Sequence, residues 1–268
     1  MIRDITIGQY YPTNSFIHKL DPRVKIIGTF LYIISLFLVG GFHGYIIGAI
    51  FLFIVIQISK VPIKYILKGL KAIFLILIIT VLLNMFLTPG DNILYKLGPI
   101  KVTETGLRIA AFMGFRLILL IMGSSLLTLT TSPIQLTDGI ERLLTPLKII
   151  KLPAHEIAMM MTIALRFIPI LLEETDKIMK AQMARGADFE SGNLIRKAKS
   201  LIPLLVPLFI SAFRRADDLA VAMEARCYRG GEGRTKLKQL RYNTRDMIGY
   251  MILFLYLAII IFINYIIK

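Results

Sequence analysis

Apolar positions in this chain come in runs. Ile26–Phe42, Tyr45–Ile58, Leu70–Leu87, Leu107–Thr131 and Met247–Ile267 are almost free of charged residues. A helix needs about 20 such residues to cross a bilayer. The first two runs are shorter, and Gly40, Gly41 and Gly44 interrupt them, so they predict a helical hairpin. Together the runs predict an all-α integral membrane protein with about five transmembrane helices. Between the fourth and fifth runs the pattern changes. Ser132-Pro133 opens an amphipathic stretch, Ile134–Leu147, and a long helix is expected over Ala154–Arg185. Its apolar stripe steps by three and four through Leu165, Ile168, Leu172, Thr175, Met179 and Gln182 or Met183. A last helix carries Leu205, Phe209, Ala212, Ala216, Leu219 and Met223 at the same steps. Glu173, Glu174, Asp176, Lys177 and Lys180 fall on other faces of the first, and Arg214, Arg215, Asp217 and Asp218 on those of the second. Pro169 is expected to kink its helix. Pro203 and Pro207 are a candidate hinge. The chain thus divides into residues 1–131, 132–245 and 246–268: four spans, a region of long helices, and a fifth span.

The two long helices end alike. One closes on Met183-Ala184-Arg185-Gly186, the other on Met223-Glu224-Ala225-Arg226-Cys227. Glycine after the arginine suits a left-handed helix cap, and a cation there suits the negative end of the helix dipole. A lone arginine at a helix end is ordinary; two near-copies about forty residues apart are less so. A guanidinium between small neighbours (Ala184 and Gly186, Ala225 and Cys227) can enter an acidic groove and bind a carboxylate through two hydrogen bonds. This points to a coupling domain for soluble partners.

The net charge of +15 fits cytoplasmic flanks and anionic lipid better than nucleic acid, since no aromatic-and-basic stripe stands out. Lys19, Arg23 and Lys25, then Lys60, Lys64, Lys68 and Lys71, then the long helices belong on one side. That places the N-terminus and the long helices in the cytoplasm and the C-terminus outside. Ile157–Leu172 and Leu201–Phe213 are apolar enough to resemble spans. If both crossed, Lys177, Lys180, Arg185 and Lys199 would lie outside, against the same rule, so interfacial helices are expected. At the chain's start, Asp21 before Pro22 predicts a capped helix.

Catalytic patterns are missing. His155-Glu156 lacks a second histidine four residues on, no phosphate loop occurs, and Cys227 is the sole cysteine. No catalytic residue, metal ligand or cofactor is expected. Arg116, deep in the fourth run, is the one intramembrane charge, and its expected role is snorkelling or bonding a neighbouring helix.

The chain resembles the transmembrane (T) component of energy-coupling factor transporters. The resemblance rests on Tyr10-Tyr11-Pro12 through His18-Lys19-Leu20-Asp21-Pro22-Arg23-Val24-Lys25, on Arg166-Phe167-Ile168-Pro169, and on the two arginine motifs, in that order. It departs from the family's second Ala-Arg-Gly at Cys227. It implies a non-catalytic subunit of an ABC-type importer of vitamins or transition metals, in a bacterial or archaeal cell membrane. Two ATP-binding cassette ATPase subunits, alike or different, would receive Arg185 and Arg226 with their neighbours Ala184, Gly186, Ala225 and Cys227. A separate substrate-binding membrane (S) subunit would sit on the surface around Pro203, Leu205, Pro207 and Phe209. A membrane-anchored adaptor and a self-contained secondary transporter are the alternatives. The latter would want paired broken spans and buried ionisable groups, of which only Arg116 is seen.

Overall fold

The computed structural model describes residues 9–89, 93–97, 100–150, 153–189, 193–230 and 240–266. The chain forms two units. One comprises Gly8–Leu143 with Leu240–Lys268, the other Leu144–Gln239 with Met1–Ile7.

The first unit is a helical bundle of α1 (Pro22–Leu38), α2 (Phe42–Ser59), α3 (Ile63–Leu87), α4 (Glu104–Thr130), α5 (Pro133–Leu144) and α9 (Thr244–Ile266). α1 starts as expected: Asp21 is its N-cap, its carboxylate accepts from the Arg23 N–H, and Pro22 takes the first turn. α4 packs on α1, α2 and α3, and α9 on α1 and α2. Tyr32, Leu36, Leu52, Ile56, Leu119, Leu126, Tyr256 and Ile260 make the core. Phe51 stacks on Tyr256 at 4.1 Å between centroids. The Tyr256 hydroxyl pairs with Ser35 Oγ at 2.8 Å, so the polar atoms of this core are satisfied. Gly123 lets α4 approach α1, since a Cβ there would stand 2.7 Å from the Tyr32 ring.

α2, α3, α4, α6 (Ala154–Ala184) and α9 are long and apolar enough to cross a membrane. Four of these match expected spans. α1, at 17 residues, is short for a crossing, and α6 qualifies through its apolar first half. α3 begins at Ile63 rather than Leu70, so Lys64, Lys68 and Lys71 form its first turns. No residue in its most apolar window is buried, as expected of a face turned to lipid. Arg116 reaches a neighbouring helix: its Nε and Nη2 donate to Tyr45 Oη at 2.9 and 2.6 Å. It thus bonds a neighbouring helix, through a phenol. The segment before α4 holds an unexpected antiparallel hairpin, β1 (Ile93–Leu97) with β2 (Ile100–Thr103).

A polar knot closes the bundle where the N-terminal segment meets α4 and α9. Tyr11 N–H donates to Leu129 O. Lys25 Nζ donates to His18 O (3.1 Å) and Thr130 O (2.9 Å). Arg23 forks onto Asp21 and lies over the Tyr242 ring at 3.8 Å. The His18 Nδ1 and Nε2 meet Ser15 Oγ at 2.7 Å and Tyr11 O at 3.0 Å. This set suits a neutral ring that accepts from serine and donates to the carbonyl. Burial first, then Lys25, pushes the His18 pKa below its ordinary value, against the raising effect of the Tyr11 carbonyl. A depressed pKa makes His18 stabilising above its unfolded value, and that contribution is lost as pH falls towards the folded one. Acidification from about pH 7.5 to 5.5 is therefore expected to lower the thermal midpoint in detergent, His18 titrating in the unfolded chain near 6.5. His18→Gln should flatten that slope; an equal slope in both proteins would rule His18 out as its source.

The second unit contains a 3₁₀ turn (Thr145–Ile150), α6, α7 (Leu194–Ser200) and α8 (Ile202–Ala225), with α6 packed against α8. Pro169 and Pro207 lie inside continuous helices, and Pro203 in the first turn of α8. The glycine-containing turn that the sequence places at 188–192, and the polar segment after Gly230, lie largely outside the described residues.

Candidate functional site

The site is the free end of α6 and of α8. Both helices stop for the same backbone reason. In α6, Arg185 is the C-cap and Gly186 takes φ +89°. The Gly186 N–H donates to Met183 O and the Ala187 N–H to Gln182 O, both at 3.0 Å. In α8, Arg226 is the C-cap and Cys227 takes φ +53°. The Cys227 N–H donates to Glu224 O at 2.8 Å and the Tyr228 N–H to Met223 O at 3.0 Å. Each end is a complete Schellman cap, bond for bond, and each places its arginine at the same cap position. Ala184, Arg185, Gly186, Ala225, Arg226 and Cys227 are all exposed. Among the described residues neither guanidinium has an ion-pair or hydrogen-bond partner. Each tip therefore offers a cation with small flanks, which is what a narrow acidic groove can admit.

Cys227 occupies a left-handed position that disfavours residues with a Cβ by about 1–2 kcal/mol. Cys227→Gly is therefore expected to stabilise the α8 cap by roughly 1 kcal/mol, and Gly186→Ala to destabilise the α6 cap by a similar amount. Thermal midpoints of the two variants, moving in opposite directions, check this. Movement in the same direction would contradict equivalent caps.

A clasp between the two helices escaped the sequence pattern. Glu174 accepts from Ser211 Oγ at 2.6 Å, and from Arg215 Nε and Nη2 at 3.1 and 2.7 Å. Both ionic residues were expected on outward faces. The first half of α8 is instead covered along Leu204, Leu208, Ser211 and Arg215, one position before the expected Leu205, Phe209, Ala212 and Ala216, while Leu219 and Met223 are half-buried as expected. Leu205 and Phe209 are consequently not packed between the helices: they are 43% and 61% exposed. With Ile202, Val206, Ile210 and Phe213 they leave an uncovered apolar surface on the first half of α8.

Fold and site together define a multi-pass helical membrane protein that carries a pair of arginine-tipped helices. Residues 13–237 match the family described as CbiQ, cobalt transport protein. Among curated proteins, the chain is 64% identical over 250 residues to the energy-coupling factor transporter transmembrane protein EcfT of Clostridium kluyveri, covering 93% of each chain. It is 56% identical over 266 residues to the EcfT of Ruminiclostridium cellulolyticum, covering 99% of each. To that of Bacillus subtilis it is 48% identical over 264 residues, covering 98% of this chain and all of the relative. The chain belongs to this family of energy-coupling factor transporter transmembrane components. It is a non-catalytic membrane subunit of a transporter.

Proposed function

We propose that this chain couples two soluble ATP-binding cassette subunits, two copies or two kinds, to a separate substrate-binding membrane protein, for import of a vitamin or a transition metal. Arg185 and Arg226, with their small neighbours, each dock into one ATPase subunit. Opening and closing of that pair moves α6 and α8. The apolar surface of α8 around Leu205 and Phe209 holds the substrate-binding protein, and Pro203 and Pro207 serve as a hinge beside that surface. Residues 1–131 and 246–268 anchor the subunit in the cell membrane. Residues 132–245 face the cytoplasm, as does the N-terminus, and the C-terminus lies outside. The observation that carries this reading is the pair of matched caps presenting two unpaired, exposed arginines. A stabilising role alone would ask for one dipole-matched cation per helix, not for identical caps with small exposed flanks on both.

The test is purification of the tagged chain from its native membrane in mild detergent, followed by reconstitution. Subunits bearing a phosphate loop are expected to co-purify, and the vesicles to take up substrate only with ATP. A chain that purifies alone and transports on an ion gradient would establish the secondary-transporter alternative. A chain that binds partners without transport would establish the adaptor.

A further inference from the structure

The clasp lies at matched distances from the two tips. Glu174 stands eleven residues before Arg185, and Arg215 eleven before Arg226. Both intervals are helical up to the cap. At 1.5 Å per residue each is an arm of about 16 Å. Between clasp and tips α6 and α8 carry half-buried apolar side chains, Ile178 and Met179 on the one and Leu219 and Met223 on the other. Apolar contacts of this kind attract without fixing direction, so such a seam tolerates sliding and rolling. A planar guanidinium forked on a carboxylate fixes both distance and orientation. The Ser211 hydroxyl holds the other carboxylate oxygen, so both oxygens of Glu174 are held by α8.

We propose that Glu174, Ser211 and Arg215 are the pivot of the coupling helices. This rests on the coupling reading given above. α6 and α8 turn about this point while the apolar seam slips, and equal arms give the two tips equal displacements. Both ATPase subunits thus see the same motion although their docking motifs differ in sequence. Glu174 and Arg215 act here as positioning residues, since they touch neither nucleotide nor substrate.

The pivot is tested in the full complex, reconstituted with its ATPase and substrate-binding subunits. Glu174→Arg, Arg215→Glu and the double exchange are compared with the wild type for subunit content, ATP hydrolysis and uptake. Each single variant puts two like charges at the crossing. Each is expected to keep its partners and hydrolyse ATP, but to lose uptake per ATP by about fivefold or more, the lower end of coupling between distant sites. The exchange re-forms the ion pair and is expected to recover uptake per ATP to within about twofold, because it restores the same fork with its ends reversed. Single variants with wild-type uptake per ATP would overturn the proposal. So would single variants that shed their ATPases, since the clasp would then only hold the fold. A wild-type chain that binds no ATPase at all defeats the coupling reading itself, a distinguishable failure.

Discussion

Arg185→Glu combined with Arg226→Glu is expected to strip the ATPase subunits from the purified complex while leaving the chain folded. The fold should survive because both side chains are exposed and lack a partner among the described residues. The caps are made by backbone atoms of residues 182–187 and 223–228, which the substitutions do not touch. On the proposed docking into acidic grooves, reversal brings a carboxylate to each groove, so it costs the lost ion pair and adds repulsion. Losing a buried, hydrogen-bonded charge pair at an interface costs about 2–5 kcal/mol. Even the lower figure is roughly a thirtyfold change in affinity per tip. Two tips bound to one ATPase pair add through avidity, so the double variant loses far more than either single one. Equivalent caps predict that Arg185→Glu and Arg226→Glu alone weaken the complex to similar degrees. Pull-down of the ATPase subunits, with helicity and elution volume as fold controls, reads all three. A folded double variant that keeps its ATPases would remove the arginines from the interface.

Much of this architecture was legible because it rests on local chemistry. Asp21-Pro22 predicts the start of α1, and Gly186 after Arg185 predicts a left-handed cap, since each signal lies within one turn of what it specifies. The equivalence of the second cap was only half visible, because Cys227 adopts the glycine conformation without being glycine. The register of the first half of α8 differs from the expected stripe for a physical reason. Periodicity assigns charged residues to water, but Glu174 and Arg215 satisfy each other and can therefore lie on the seam. α8 also carries apolar residues on two faces, one covered and one exposed, so the 3.6-residue period no longer marks a single side. The β1–β2 hairpin escaped because its strands are only five and four residues long and each carries a lysine, as a surface loop would. Nor could the sequence place Lys25 and Asp246 together, 221 residues apart, at a buried junction. By charge pattern Lys25 reads only as one of the basic residues flanking the first span.

That junction sets the second large expectation. Asp246 is 2% exposed, and its carboxylate accepts from the Asp21 N–H at 2.7 Å and the Asn243 N–H at 2.8 Å. The second bond closes the first turn of α9 in the manner of a capping box; the first ties that turn to the start of α1. Burial disfavours the Lys25 ammonium, and the charges of Asp21 and then Asp246 offset part of that cost. Asp246→Ala removes both acceptors at once: it leaves the buried Asp21 amide unsatisfied beside a buried cation and gives up the part-buried cap bond from Asn243. A buried donor orphaned in this way costs about 1–3 kcal/mol. Breaking a buried charge arrangement from one side costs about 3–5 kcal/mol, a large part of a typical folding free energy. Asp246→Asn keeps one oxygen, so it can serve one amide while its NH₂ faces the other, and should lose roughly half as much. Thermal midpoints in detergent should therefore rank wild type above Asn above Ala, with the Ala protein poorly recovered as a single species. An Ala variant that melts with the wild type would mean that the α1–α9 junction is held by the apolar core alone, with the polar knot contributing nothing measurable.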